Sequence, residues 1–406
     1  MKILFLVMDG MADISHPELD WATPLQAADT PVLDHLAREG CCALMYPLEP
    51  GICPSSEVAH WSMFGYAPGE FPGRAYLHAL ATGLPLRRGD ALFMFNLVPV
   101  ERKPEGVFVL DESDVPIEDI CADRAERLGR LAQGDLALYY MGGIEFIAVV
   151  KGGSAHLKPT DPFLHPRPVG ELRAADGWEE DEKTAGTVRI LQGFMDAAGE
   201  WLEAGADRRR GDLGLIMKWP SRAVEAEAFE RRHGMRAAAV VSTPCFQGMG
   251  ALLSMRVLYI EEGEAEAELR AKLQAAQDLF REGWEFVFVH TKHADEAAHR
   301  GDPAAKKGII AALDRALSYC EGLWGDQDLL AVITADHSTP TTLDPRVIHG
   351  GDPVPVLFHG RTVRRDGLPS FDEVSAASGG MGQLYGRDLM PLISYLSRRA
   401  PFNTGP

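Results

Sequence analysis

Three short runs of uninterrupted apolar residues, each closed by a polar one, constrain this chain more than any other feature. Ile3 to Met8 runs into Asp9-Gly10, and similar runs span Phe286 to Val289 and Leu329 to Ile333. Such runs read as strands buried on both faces, as expected of a largely parallel sheet. Helical segments alternate with them. Pro31 to Glu39 is closed by Gly40, and Glu264 to Arg281 places Leu269, Leu273, Ala276 and Phe280 on one face. Thr30-Pro31 and Asp302-Pro303 have the form of helix starts, a capping side chain before proline at the first helical position. The alternation predicts an α/β core with a mostly parallel sheet, right-handed crossovers and helices on both faces.

A chain of 406 residues exceeds the usual size of one hydrophobic core, which favours two domains or an enlarged one. The middle departs from the βα pattern. It carries isolated strand-like pieces (Leu92 to Val100, Ile144 to Val150, Leu213 to Lys218), a Pro/Gly-rich loop from Lys158 to Gly170, and a charged helical stretch ending Arg208-Arg209-Arg210. The expected organisation is a discontinuous core of residues 1–88 and 236–406, with residues 89–235 inserted as a smaller α/β domain.

The formal net charge of -19 argues against nucleic acid or an anionic membrane as partner, because self-repulsion opposes approach. A small phosphorylated or phosphonate-like substrate remains compatible, since bound cations reverse the field inside a cleft. The six cysteines include no CxxC pair, so neither a zinc finger nor a disulfide framework is expected. The apolar opening before Asp9 is too short for a signal or a spanning helix, which points to a reducing cytoplasm.

The chemistry-bearing residues stand just after the expected strands, where side chains enter the crevice at the carboxyl edge of an α/β sheet. Asp9 follows the first, Asp295 and His299 follow the second, Asp336 and His337 follow the third, and His349 precedes a further apolar run. Asp295 and His299 lie at i and i+4, one face of a helical turn, and so can share one ion. Asp336-His337 alone is a weak signal, because neighbours on a strand end point apart. Taken together, mixed Asp/His ligation suits Mn²⁺, Zn²⁺ or Mg²⁺, and two ions about 4 Å apart form the clamp used for in-line displacement at phosphorus. The segment Pro54-Ser55-Ser56-Glu57-Val58-Ala59-His60 offers serines at a helix start. Such a serine is either an N-cap or a nucleophile held at the positive end of the helix dipole.

The motifs MDGMAD, TPLQAADTPVLDHLAREG, SSEVAHWSMFGY, GRAYLHALATGL, HADEAAHRGD, TADHSTP, HGGDPVPV and the terminal FDE…GRDLMPLISYL occur in that order. In order and spacing the chain resembles the cofactor-independent phosphoglycerate mutases of archaeal type, within the alkaline phosphatase superfamily. The resemblance implies Ser56 as the phosphorylated nucleophile and two divalent ions. One would be held by Asp295, His299 and His349, the other by Asp9, Ser56, Asp336 and His337. It further implies 2-phosphoglycerate and 3-phosphoglycerate as the default substrates.

The resemblance weakens around the substrate. Where the family has Phe-Arg-x-Asn this chain reads Phe93-Met94-Phe95-Asn96, a Tyr-Arg-His stretch is replaced near Glu145, a Leu-Arg-Gly stretch by Met217-Lys218-Trp219, and a Lys-Gly pair by Gln247-Gly248. Arg74 is retained. Candidate substrate contacts are therefore Arg74, Asn96, His60, His78 and Lys218, with His293 as a candidate partner behind the ligands. The lost cations raise an alternative, a diverged paralogue acting as an ester hydrolase or as a phosphoryl, phosphonyl or sulfo-type transferase on another small substrate. A third class, a binding protein on a degenerate scaffold, conflicts with the intact ligand set.

Overall fold

The computed structural model describes residues 1–110, 117–163, 168–204, 212–344 and 346–402. Strands are numbered β1 to β15 in chain order. By its internal contacts the chain divides into two units, Met1–Phe71 with Ala226–Pro406, and Pro72–Glu225. Residues 72–88, expected in the core, thus group with the inserted unit, and residues 226–235 group with the core. The stretch Arg208 to Arg210 lies outside the described residues.

The core unit is built on eight strands: β1 (Lys2–Met8), β2 (Cys41–Tyr46), β10 (Ala237–Val241), β11 (Arg256–Tyr259), β12 (Phe286–Thr291), β13 (Leu329–Thr334), β14 (Val354–Gly360) and β15 (Gly382–Tyr385). Their order is β11-β10-β12-β1-β13-β14-β2-β15. All neighbours are parallel except β14, which runs antiparallel to β13 and to β2. The expected mostly parallel α/β sheet is what the chain forms. Successive strand residues point to opposite faces, yet every residue from Ile3 to Met8 is buried, so both faces of β1 are covered. Phe5 packs between Phe64 and Phe288, at 6.0 Å from each, and Phe229 and Phe286 extend the cluster.

Asp302 accepts from the amides of Ala304 and Ala305 at the start of the helix Pro303–Ser318, as its position before proline predicts. Thr30 does not do the same for the helix Pro31–Arg38. There the buried Asp314, from the helix Pro303–Ser318, accepts from the amides of Val32 and Leu33. A long-range carboxylate has taken the local cap's place.

The inserted unit holds a five-stranded sheet of β3 (Ala91–Lys103), β4 (Gly106–Val109), β5 (Leu136–Gly142), β6 (Glu145–Val150) and β9 (Asp212–Arg222), and a two-stranded ribbon of β7 (Leu157–Lys158) and β8 (Arg173–Ala174). Phe93, Phe95 and Leu97 pack on the helix Glu182–Ala204 through Leu191 and Phe194. Among the described residues no helix is long and apolar enough to cross a membrane, and the described cysteines are free thiols.

One buried network ties the loop after β1 to the loop after β13. Lys306, fully buried, donates to the carbonyls of Ala12 and Thr339 and to Asp13 Oδ2, at 3.0, 2.9 and 2.9 Å. Asp13 also accepts from the Thr341 amide and hydroxyl. Glu373 closes the network, accepting from the Asp13 amide and the Thr23 hydroxyl.

Lys306→Ala leaves Asp13 buried without its counter-charge and should cost about 3–5 kcal/mol in urea unfolding. Burial pushes the Glu373 carboxyl up to about 7, so the folded chain holds this proton to higher pH than the unfolded chain does. Its contribution is therefore full below about pH 4.3 and lost as the pH rises through about 7. Between pH 5 and 8 the fall in unfolding free energy should be shallower in Glu373→Gln than in the wild type.

Candidate metal centre

Because β12, β1 and β13 are parallel neighbours, their carboxyl ends emerge together and bring three separate segments to one place. Asp9 follows β1 directly, Asp295 and His299 lie on the helix His293–His299 after β12, and Asp336 and His337 follow β13. Gly10 makes the junction possible. It takes φ +61°, and a Cβ there would stand 2.4 Å from Thr339 Oγ1 and 2.7 Å from Asp295 Cβ.

Two ligand groups result: Asp9, Asp336 and His337, and Asp295, His337 and His349. His337 Nε2 lies 3.3 Å from Asp9 Oδ1, 3.3 Å from Asp336 Oδ2 and 3.0 Å from Ser56 Oγ. On the other side, Asp295 Oδ1 lies 3.3 Å from His299 Nε2 and 3.8 Å from His349 Nε2. The rings of His337 and His349 stack at 3.7 Å. Asp336 and His337 converge, because the chain leaves the strand at Thr334 and bends. His337 stands in both groups.

The floor of the site is buried and its rim is open: Asp9, Asp336 and His337 are covered, while Ser56 and His349 are partly exposed and His299 is exposed. Asp336 Oδ1 accepts from the amides of Gly10 and His337, but Asp336 Oδ2 and Asp9 Oδ1 accept no hydrogen bond. Burial first, then the charges of Asp336 and Asp295, push the Asp9 carboxyl well above its ordinary range. For Asp295 burial acts upward too, but the hydrogen bond from His299 and the neighbouring imidazoles outweigh it and hold the carboxyl low. Burial, followed by His349, pushes His337 down to about 3 and keeps its ring neutral. Buried carboxylate oxygens without a hydrogen-bond donor, beside the neutral His337 ring, form a donor set that fits a divalent cation such as Mn²⁺ or Zn²⁺.

Surrounding groups orient these ligands. His349 Nδ1 donates to the Pro54 carbonyl at 2.7 Å, which ties its loop to the segment before Ser56. His290 Nε2 lies 3.2 Å from Asp9 Oδ2, and His337 Nδ1 lies 3.0 Å from Thr339 Oγ1. Neither His290 nor Thr339 was legible as part of the site. His290 ends an expected apolar strand and Thr339 lies in a matched motif, but only the strand order β12-β1-β13 puts them against Asp9, Asp295 and His337.

The metalloenzyme superfamily profile matches residues 1–394. A 2,3-bisphosphoglycerate-independent phosphoglycerate mutase of Methanopyrus kandleri is 34% identical, over 98% of this chain and 97% of its own length. One from Methanocaldococcus jannaschii is 31% identical, over 98% of this chain and 94% of its own. The chain belongs to the 2,3-bisphosphoglycerate-independent phosphoglycerate mutase family of the metalloenzyme superfamily. Among solved structures, a Pyrococcus horikoshii protein superposes with a TM-score of 0.79 at 26% identity, covering 100% of this chain and 99% of that one. The cofactor-independent phosphoglycerate mutase of Thermoplasma acidophilum gives 0.66 at 25%, covering 98% and 100%. Membership in this mutase family makes the chain a metal-dependent phosphotransferase that binds divalent cations.

The expected substrate contacts of this family member fall into different places. His60 is buried in the core unit, where its Nδ1 donates to the Ser56 carbonyl at 2.7 Å and its ring packs on Phe246 and His290. His293 lies 2.9 Å from Glu268, which also binds the buried Lys272. Arg74, Asn96, His78 and Lys218 belong to the inserted unit. There the Arg74 guanidinium lies 4.1 Å over the Trp219 ring, and Lys218 Nζ lies 4.7 Å over the same ring and 3.6 Å from Asp161. With the Asn96 amide turned so that both ends are satisfied, its oxygen accepts from Lys218 Nζ at 3.1 Å.

Asp336→Ala or Asp295→Ala should weaken Mn²⁺ or Zn²⁺ binding by more than about 100-fold, the upper range for residues that only support a ligand. Isothermal titration of the metal-stripped proteins measures this. Wild-type affinity in both variants would remove these carboxylates from the site.

Proposed function

We propose that this chain interconverts 2-phosphoglycerate and 3-phosphoglycerate through a phosphorylated Ser56, working in the cytoplasm with two divalent ions. The observation that carries the reading is Ser56 Oγ, 3.0 Å from the histidine shared by both ligand groups. Ser56 is the first residue of the helix Ser56–Met63, and Ser55 precedes it without a side-chain cap. The dipole of that helix favours negative charge at its first residue. By this reading Asp295, His299 and His349 hold one ion, and Asp9, Ser56, Asp336 and His337 hold the other, with His337 Nε2 close enough to both to account for its place in each group.

Bound Mn²⁺ or Zn²⁺ would lower the pKa of the serine hydroxyl and neutralise charge on the phosphoryl oxygens. Ser56 Oγ loses its proton and forms a bond to phosphorus as the substrate's ester P–O bond breaks in line. The released glycerate oxygen takes up a proton. The phosphoryl group then returns from Ser56 to the other hydroxyl, so the phosphate content of the substrate is unchanged. The curated relatives support the mutase outcome over hydrolysis or transfer to another acceptor, since they carry that name.

Acid-quenching the protein with 3-phosphoglycerate and mapping the peptide by mass spectrometry should find one phosphoryl group on Ser56. Ser56→Ala should lower kcat by about 10³-fold or more, as loss of a nucleophile does. Conversion should need no 2,3-bisphosphoglycerate and release no inorganic phosphate. Stoichiometric phosphate release would instead make the chain a hydrolase.

A further inference from the structure

Thr339 has no role in the reading above, yet its hydroxyl lies between the two ligand groups. Its Oγ1 is 2.8 Å from Asp295 Oδ1 and 3.0 Å from His337 Nδ1, and the residue is fully buried. The surroundings fix its position. The Thr339 carbonyl accepts from Lys306 Nζ at 2.9 Å, its amide donates to the Ala12 carbonyl at 2.9 Å, and Gly10 lacks the Cβ that would occupy the space of the hydroxyl.

The chemistry of the three groups decides where the protons lie. An ionised carboxylate only accepts, so the Thr339 hydroxyl donates to Asp295. The hydroxyl oxygen is then the acceptor for His337, whose Nδ1 must carry the hydrogen. A neutral imidazole has one N–H, so Nε2 is left with a lone pair facing Asp9, Asp336 and Ser56. Without the Thr339 oxygen, a hydrogen on Nδ1 would lose its acceptor, and Asp336 Oδ2, 3.3 Å from Nε2, would favour the proton there and block the nitrogen as a ligand.

We propose that Thr339 is a positioning residue that sets the His337 tautomer, keeping Nε2 bare for a cation, and that it couples this choice to Asp295 in the other ligand group. This rests on the cation-binding reading of the site, although the tautomer itself is a property of the metal-free chain. The hydroxyl is the working part, so serine should replace threonine and valine should not.

The test uses the full chain with ¹⁵N-labelled histidine, stripped of metal, and compares wild type with Thr339→Val, Thr339→Ala and Thr339→Ser, each checked for folding by circular dichroism. Long-range ¹H–¹⁵N correlation spectra, with the His337 signal assigned through a His337→Gln protein, should show Nδ1–H in wild type and Thr339→Ser. The valine and alanine variants should show Nε2–H. Titration with Mn²⁺ should show binding weakened by about 10–100-fold in valine and alanine and near wild type in serine. A wild-type His337 in the Nε2–H form would overturn the inference, as would valine and alanine variants that keep both Nδ1–H and wild-type affinity. A wild-type chain that takes up no Mn²⁺ would overturn the cation reading itself, and the role assigned to Thr339 with it.

Discussion

Everything in the core unit answers to one electrostatic constraint, the gathering of Asp9, Asp295 and Asp336 in a space almost closed to water. Carboxylates in such a place repel one another and lose their hydration, and two of their oxygens here have no hydrogen-bond donor. A bound cation would complete the set and offset this repulsion. The parallel order β12-β1-β13 creates the crowding, since it brings three strand ends from distant parts of the chain to one edge.

Holding such a site in shape requires partners that are themselves buried and paired. Lys306 joins the two loops that carry Asp9 and His337 by binding Ala12, Asp13 and Thr339 at once. His349 is anchored to Pro54, and His60 to the Ser56 carbonyl, so the nucleophile segment is tied to the ligands from two sides. These contacts use neutral or compensated groups, which places no further charge next to the three acids. The ligands are oriented by hydrogen bonds that leave their free lone pairs on the cation side.

The inserted unit balances charge differently. Met94 is fully buried and pairs across the sheet with Lys218 and Ile147. Lys218 is itself held by Asp161 and Asn96, and Arg74 stacks on Trp219, whose backbone takes φ +50°. For a non-glycine residue that conformation is costly and marks a position set by its surroundings.

The sequence by itself determined the architecture and which candidate ligands stand at the strand ends. Apolar runs ending in Asp or His specify buried parallel strands and place reactive groups at their carboxyl ends, because both signals are local and set by the pattern of burial. Asp302 before Pro303 is legible for the same reason. What only the tertiary structure decided is how those groups share space. The sequence separates Asp9 from Asp295 and His337 by hundreds of positions and carries no record of strand order, so it could not show that His337 faces both ligand groups. Nor could it show that Asp314 replaces Thr30 as a cap or that Thr339 stands between Asp295 and His337. These depend on contacts between segments that only the sheet brings together, at distances of a few ångströms where a single proton decides which atom is free to bind.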